Sequence, residues 1–85
     1  MDIYYFAAAE SARGRSRETV QYSGSLGQLL QMVSDFPSVG TTAAGMSLAE
    51  VFSKCTFLVD GKQADAQTDV TGAKRIDVLP PFAGG

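Results

Sequence analysis

The part of this sequence best suited to chemistry is its last six residues: Pro80, Pro81, Phe82, Ala83, Gly84 and Gly85. Glycine has no Cβ and costs the most chain entropy to order, so two final glycines do not serve packing. They form a thread that fits a channel too narrow for side chains, with a carboxylate at its tip. The prolines stiffen the segment before them. We interpret this end as a presented reactive group; a frayed terminus or a cloning remnant is the alternative.

Other groups that could carry chemistry are few. The sequence has no histidine, and therefore no imidazole base and no histidine metal ligand. Cys55 follows Lys54 and has no activating partner nearby, which favours a buried strand cysteine over a nucleophile. Three aspartates lack the ligand density of a calcium loop and are interpreted as turn formers: Asp60, Asp65 and Asp69.

Length and charge narrow the class of protein. The 85 residues predict one domain with a modest core. The net charge is −2, and the cluster of Arg13, Arg15 and Arg17 is interpreted as a solvated loop, so we expect no nucleic-acid partner. No apolar run is long enough to span a membrane, no signal peptide is recognisable, and one cysteine cannot form an internal disulfide. We expect a cytoplasmic protein with no membrane partner.

Hydrophobic patterns predict the elements that position the chain's end. Residues 3–6 are aromatic and branched, which predicts a strand buried on both faces. The alanine-rich residues 7–14 predict a short helical turn or a loop. Residues 18–22 alternate polar and apolar side chains, which predicts a half-exposed strand in a hairpin with the first.

Two capping patterns predict helices in the middle of the chain. Ser25 followed by Gln28 marks the start of a main helix. Its apolar face carries Leu26, Leu29, Leu30 and Val33. Ser47 followed by Glu50 marks a short second helix. The intervening residues 38–45 are small and polar and predict a flexible connection.

The last third of the chain predicts strands. Residues 56–59 are strand-like, and Asp60 with Gly61 is the strongest signal for a two-residue hairpin turn. Residues 63–64 continue the return, and residues 76–79 form the last strand before the prolines. The order strand, strand, helix, short helix, strand, strand predicts an α+β domain. One main helix packs across a mixed sheet, whose first and last strands are neighbours in the middle.

Three stretches of the chain together resemble one family. They are Tyr-Phe-Ala-Ala-Ala at residues 5–9 followed by Gly14, the hairpin turn at residues 60–61 with Asp69 beyond it, and residues 79–85. The last stretch matches an apolar–Pro-Pro–x–x–Gly-Gly signature and is the specific one. The chain resembles the ubiquitin-like, β-grasp sulfur carriers, above all the MoaD family, the small subunit of molybdopterin synthase. The resemblance implies a β-grasp domain over residues 1–79 and an extended C-terminal Gly-Gly tail over residues 80–85.

The resemblance also implies a sulfur carrier that is not an enzyme by itself. An E1-like adenylating enzyme (MoeB-like), using ATP and magnesium, would adenylate the C-terminal carboxylate of Gly85. A sulfur donor protein would then supply the sulfur of a thiocarboxylate. The large subunit of molybdopterin synthase (MoaE-like) would hold the pterin precursor that receives this sulfur in molybdenum cofactor biosynthesis. The chain itself would bind no cofactor and no metal.

The predicted partner-binding residues lie along the tail and at its base: Leu79, Pro80, Pro81, Phe82, Ala83 and Gly84. Six extended residues reach about 20 Å, enough to enter a partner's active site. We predict that Phe82 anchors in a partner pocket, as aromatic hot spots do; the alternative is that it folds back on its own domain. The apolar sheet face near Leu79 would complete the interface.

The family usually has an arginine in the first loop where Glu10 stands here, and the arginine comes later, at Arg13.

Other functions share these sequence features. The same tail chemistry serves sulfur carriers of thiamine or cysteine synthesis. A ubiquitin-like modifier joined to target lysines through Gly85, and an interaction domain with an inert tail, are alternatives of other classes.

Overall fold

The structure is a computed structural model that describes residues 1–36 and 39–81. Its elements are β1 (Asp2–Tyr5), α1 (Ala7–Arg13), β2 (Arg17–Thr19), α2 (Leu26–Ser34), α3 (Leu48–Phe52), β3 (Thr56–Val59), β4 (Lys62–Ala64) and β5 (Arg75–Leu79). The strands of these residues form one sheet in the order β2-β1-β5-β3-β4. β1 and β5 are parallel, and the other neighbouring pairs are antiparallel. The predicted mixed sheet, with the first and last strands adjacent in its middle, is confirmed.

One face of the sheet carries the hydrophobic core. Side chains alternate along β1, so Ile3 and Tyr5 are buried while Tyr4 is only half-buried on the opposite face. The prediction that this strand is buried on both faces is therefore wrong. The core also contains side chains from every helix and from β3 and β5: Ala9, Ala12, Leu26, Leu29, Val33, Leu48, Val51, Phe52, Phe57, Ile76 and Val78.

The opposite face, called here the outer face, is lined by residues that the strand register aligns. One row crosses all the strands and consists of Arg17, Tyr4, Asp77, Leu58 and Gln63. Each of these side chains is exposed or half-buried. The outer face therefore meets solvent, as one face of a sheet packed on a single layer of helices commonly does.

The hairpin joining β3 to β4 has the predicted turn. Asp60 and Gly61 both hold positive φ angles, 50° and 84°, which a two-residue turn that matches strand twist requires. The Asp60 carboxylate also accepts hydrogen bonds from the backbone N–H groups of Lys74 and Arg75, at 3.0 and 2.9 Å. This aspartate therefore ties the hairpin to the start of β5, the strand that leads to the tail.

The helices begin where the capping patterns predict. The Ser25 hydroxyl accepts a hydrogen bond from the N–H of Gln28, and Ser47 and Glu50 form a complete capping box. Gly27, in the first turn of α2, donates its N–H to the carbonyl of Ala66 at 2.8 Å. A Cβ at position 27 would lie 3.0 Å from that oxygen, so the glycine permits this close approach.

Two elements near the start of the chain differ from prediction. Residues predicted as a helical turn or a loop form the helix α1, which ends at Gly14 in the left-handed region with φ 83°. The strand predicted over residues 18–22 is shorter, since β2 ends at Thr19. Beyond it, Val20 and Tyr22 pack against the core from outside the sheet. Their alternating pattern thus reflects burial rather than strand pairing.

Candidate functional site

The base of the tail is the end of the central strand β5. Leu79 pairs with Thr56 of β3 on one side. On the other side, the N–H of Phe6 donates to the carbonyl of Val78 at 3.3 Å. Pairing on both sides fixes the point from which the tail leaves the sheet.

Only the first three of the predicted partner-binding residues belong to the part of the chain that the structure describes. Leu79 and Pro80 are half-buried, and Pro81 is exposed. The chain thus reaches the surface within two residues of the sheet. The predicted anchor Phe82 and the predicted reactive end, Ala83, Gly84 and Gly85, lie outside the described residues.

An aromatic side chain that sequence reasoning placed in a buried strand lies instead beside the tail base. Phe6 is 40% exposed, and its extended backbone continues the alternation of β1 onto the outer face. Ala7 then turns the chain into α1 with φ 50°, a value that costs a non-glycine residue about 1 kcal/mol. Counting alternate positions from Ile3 and Tyr5 would have placed Phe6 outward. With Leu58 and Leu79 it forms the apolar part of the outer face.

Arg13 is not part of a solvated loop, contrary to prediction. It is 3% exposed, and its Nε and Nη2 donate to both carboxylate oxygens of Glu18, each at 2.7 Å. Tyr5 donates its hydroxyl proton to the same carboxylate at 2.5 Å. The Arg13 guanidinium also lies 5.2 Å from the ring centroid of Phe36. A buried carboxylate requires such partners because burial alone penalises its charge.

The pKa values of this buried group follow from its contacts. Burial is the largest effect on Glu18 and raises its pKa, but hydrogen bonds from Arg13 and Tyr5 outweigh it and leave the pKa below its ordinary value. Burial, followed by the bond to Glu18, raises the pKa of Tyr5. The bond to Glu18 raises the pKa of Arg13 further. All three groups therefore keep their ordinary charge states near pH 7, which marks a structural cluster rather than an acid–base pair.

The burial of Arg13 bears on a feature of the sulfur-carrier family that the sequence resembles, which usually has an arginine where Glu10 stands here. Glu10 is exposed on α1, and the next arginine in the sequence is Arg13. The guanidinium group of Arg13 is paired with the Glu18 carboxylate inside the domain. In this chain the arginine therefore stabilises the domain, and the surface of that region presents a glutamate instead.

Cys55 precedes β3 rather than lying within it, which corrects the predicted strand position. Its thiol is half-buried and donates to the carbonyl of Val51 at 3.1 Å. Burial raises the pKa of Cys55 to about 11, so the thiol stays protonated at neutral pH. The prediction that this cysteine is not a nucleophile agrees with its protonation state.

The three aspartates act as turn formers, as predicted. Asp65 accepts from the N–H of Gln67 at 2.9 Å, and Asp69 accepts from the N–H of Thr71 at 2.9 Å. The hydrogen bonds from Thr71 lower the pKa of Asp69. Across residues 1–36 and 39–81, no group of three or more potential ligand side chains is placed to hold a metal ion. In the same residues, the helices are too short or too polar to cross a membrane.

Comparison with solved structures defines the fold. A crystal structure of SAMP1 from Haloferax volcanii is similar to this chain, with a TM-score of 0.64 and 20% sequence identity over 100% of this chain and 98% of that one. SAMP1 is a ubiquitin-like protein with the β-grasp fold. The chain is therefore an α+β domain with the β-grasp fold, as predicted. No protein-family model and no curated protein sequence match it significantly.

Proposed function

We propose that this protein is a ubiquitin-like sulfur carrier whose reactive group is the C-terminal carboxylate of Gly85. One observation carries the proposal: in a β-grasp domain, the central strand β5 leads directly to Pro80 and an exposed Pro81, and the sequence reaches its Gly-Gly end three residues later, at Gly84. Strand pairing on both sides of β5 thus holds the base of the tail in place. The two prolines lower the entropy lost when the tail enters a partner.

The chemistry requires little of this chain beyond its tail. A carboxylate is a poor electrophile because its charge repels nucleophiles. An activating enzyme transfers AMP from ATP to the Gly85 carboxylate, and pyrophosphate leaves. Hydrosulfide supplied by a donor protein then attacks the acyl carbon, its carbon–oxygen bond to AMP breaks, and a thiocarboxylate is left as AMP and a proton depart. Magnesium accompanies the ATP in the activating enzyme, so the carrier holds neither.

The lack of a base in the carrier is consistent with this division of labour. Its sequence contains no histidine, and the thiol of Cys55 is protonated at neutral pH. The acid–base groups therefore belong to the partners. Gly84 and Gly85 let the backbone pass close to the walls of a partner's channel, where any Cβ would collide.

For the acceptor, we propose the pterin precursor of molybdopterin, held by a large synthase subunit. The thiocarboxylate sulfur displaces an oxygen leaving group from a carbon of the precursor. Water then adds to the carbonyl of Gly85 as its bond to sulfur breaks, which leaves the sulfur on the precursor as a thiolate and regenerates the Gly85 carboxylate. The Pro-Pro spacing before the glycines favours this pathway over sulfur carriers of thiamine or cysteine synthesis, which use the same tail chemistry.

Reconstitution tests the pathway. The carrier is incubated with ATP, magnesium, an activating enzyme and a sulfur donor, and is then added to a large synthase subunit with precursor. We expect molybdopterin to form in proportion to the thiocarboxylate carrier supplied. A loaded carrier that yields no product there, but supplies sulfur to a thiazole or cysteine synthase, would move the protein to that pathway.

A second candidate is a modifier joined to target lysines through Gly85. The structural likeness to SAMP1, whose name denotes a small archaeal modifier protein, favours testing it. An isopeptide bond to a lysine survives denaturation and thiols. Higher-mass conjugates on a denaturing gel, absent when Gly85 is deleted, would support the modifier, and their absence would leave the sulfur carrier as the better account.

A further inference from the structure

A pocket of about 410 Å³ opens between the helices and the hairpin of β3 and β4, and is called here the hairpin pocket. The apolar side chains that line it are Leu30 of α2, Phe52 at the end of α3, and Phe57 and Ala64 of the hairpin. Leu30 and Ala64 are half-buried, so part of this apolar surface meets solvent. An apolar cavity of about 150 Å³ can hold benzene, so the hairpin pocket has room for a phenyl ring.

The strand register places the base of the tail beside this pocket. Leu79 of β5 pairs with Thr56, and the residue before Thr56 is Cys55, which also lines the pocket. Ala64 pairs with Phe57, so β4 ends at the same end of the sheet. β3 is the immediate neighbour of β5, and neighbouring strands lie about 4.8 Å apart. The hairpin pocket therefore begins about one strand width from the point where the tail leaves the sheet.

The first large apolar side chain after the described residues can span that width. Val78 faces the core and Leu79 faces outward, so an extended continuation brings Pro80 and Phe82 back to the side of the helices. The two residues beyond Pro80 span about 7 Å when extended, which exceeds the spacing of neighbouring strands. The sequence thus puts a phenylalanine within reach of a pocket on its own domain.

We propose that Phe82 binds in the hairpin pocket of its own domain while the protein is free. Of the residues after Pro81, it alone has a large apolar side chain. Phe52 and Phe57 already form an edge-to-face pair, with ring centroids 6.2 Å apart and an interplanar angle of 64°. A third ring beside them gains contacts of the same kind. Its burial also removes the apolar surface of the ring and of the pocket from water.

This contact gives the tail two alternative positions. The inference itself does not depend on sulfur chemistry, but its consequence for regulation rests on the proposed function. A partner takes the tail only from molecules in which Phe82 has left the hairpin pocket. The apparent affinity of the partner therefore falls in proportion to the fraction of such molecules.

Nuclear magnetic resonance tests the contact directly, because an aromatic ring changes the chemical shifts of nearby amides. We expect Phe82→Ala to shift the amide resonances of Leu30, Phe57 and Ala64, which are distant from position 82 in sequence. The control Phe6→Ala removes an exposed ring from the outer face and should leave these three resonances in place. Shifts confined to residues adjacent to position 82 would overturn the proposal.

Filling the pocket provides the converse test. Ala64→Leu places a larger side chain where the ring would bind, and circular dichroism checks that the variant is folded. In this background, adding Phe82→Ala should produce no further shift at Leu30 or Phe57, because the two changes act on one contact. A further shift as large as in the wild-type background would show that Phe82 acts elsewhere, and the proposal would fail.

The thiol of Cys55 reports on the same contact. It is the single cysteine of the chain and lines the hairpin pocket, so alkylation by iodoacetamide measures access to that pocket. We expect Phe82→Ala to react about threefold faster or more, because the rate follows the fraction of molecules with an open pocket, while Phe6→Ala reacts like the wild type. Equal rates for the wild type and Phe82→Ala would contradict the proposal. None of these measurements uses the activating enzyme, so a carrier that cannot be loaded would refute the proposed function alone.

Discussion

Two neighbouring tyrosines show how the faces of this sheet differ. Tyr5 faces the core, where its hydroxyl and the guanidinium group of Arg13 both donate hydrogen bonds to the Glu18 carboxylate. Tyr4 faces outward between Arg17 and Arg75, two exposed arginines that lie near its ring. The residue types are the same and their positions in sequence are adjacent. Only the face of the strand differs.

The comparison shows that the burial of an arginine or tyrosine side chain, more than its type, decides how much it contributes to the stability of the domain. On the core face, an unpaired charge would be costly. Within residues 1–36 and 39–81, every buried side-chain nitrogen and oxygen atom has a hydrogen-bond partner, and the group of Tyr5, Arg13 and Glu18 contributes stability. On the outer face, Arg17 and Arg75 are exposed, so their interactions with neighbouring groups contribute little stability.

The largest expected effect comes from comparing the two arginines. Arg13→Ala leaves Glu18 buried without its counter-charge and should lower the free energy of unfolding by about 3–5 kcal/mol. Arg17→Ala should change it by less than about 1 kcal/mol, because that arginine is exposed. Urea denaturation at pH 7 measures both. Equal losses would contradict the division between the faces.

The pH dependence of stability sharpens the same contrast. The pKa of Glu18 is lower in the folded protein than its ordinary value of about 4.3. The ionised Glu18 carboxylate therefore adds its full contribution to the free energy of unfolding when the pH is above that ordinary value. This contribution is lost as the pH falls through the pKa of Glu18 in the folded protein. The stability difference between wild type and Glu18→Gln should be constant above about pH 6 and should shrink below about pH 4. A difference that grew on acidification would have the wrong sign.

The tyrosines themselves give a smaller effect. Tyr5→Phe removes one hydrogen bond to a buried carboxylate and should cost about 1–2 kcal/mol. Tyr4→Phe keeps the ring between the arginines and should be close to neutral. Thermal unfolding of the two variants provides the comparison, and a larger loss for Tyr4→Phe would reverse our assignment of the faces.

The smallest effect concerns Cys55. Replacement by serine should cost about 1 kcal/mol or less, because the hydroxyl can still donate to the Val51 carbonyl. Sulfur loading should be unchanged, since the reactive sulfur is assigned to Gly85. A folded Cys55→Ser protein that cannot be loaded would place the reactive sulfur on Cys55.

Local signals in the sequence predicted most of the fold. The turn at Asp60 and Gly61 depends on two adjacent residues, and the capping box of Ser47 and Glu50 on residues three positions apart, so the sequence displays both directly. The adjacency of the first and last strands followed from the α+β pattern. The burial of Arg13 was not predicted because Arg13 ends the helix α1, while its partner Glu18 lies across a turn on the strand β2.

The outer face was harder to predict. The run of residues 3–6 contains no polar residue to show which side chains face water, so Tyr4 and Phe6 were assigned to the core. The approach of Arg17 and Arg75 to the Tyr4 ring depends on the pairing of three strands, one of which lies at the far end of the sequence. The predicted reactive end rests on the two final glycines of the sequence, which lie outside the described residues, so it stays a prediction.

The central claim is that the slender tail accepts sulfur at Gly85, and intact-mass spectrometry tests it most directly. The wild type and Gly84→Leu, both shown to be folded by circular dichroism, are incubated with ATP, the activating enzyme and a sulfur donor. We predict that the wild type gains the mass difference between sulfur and oxygen and that Gly84→Leu does not, because its side chain blocks entry of the tail. Equal loading of the two proteins, or no loading of the wild type, would contradict the account.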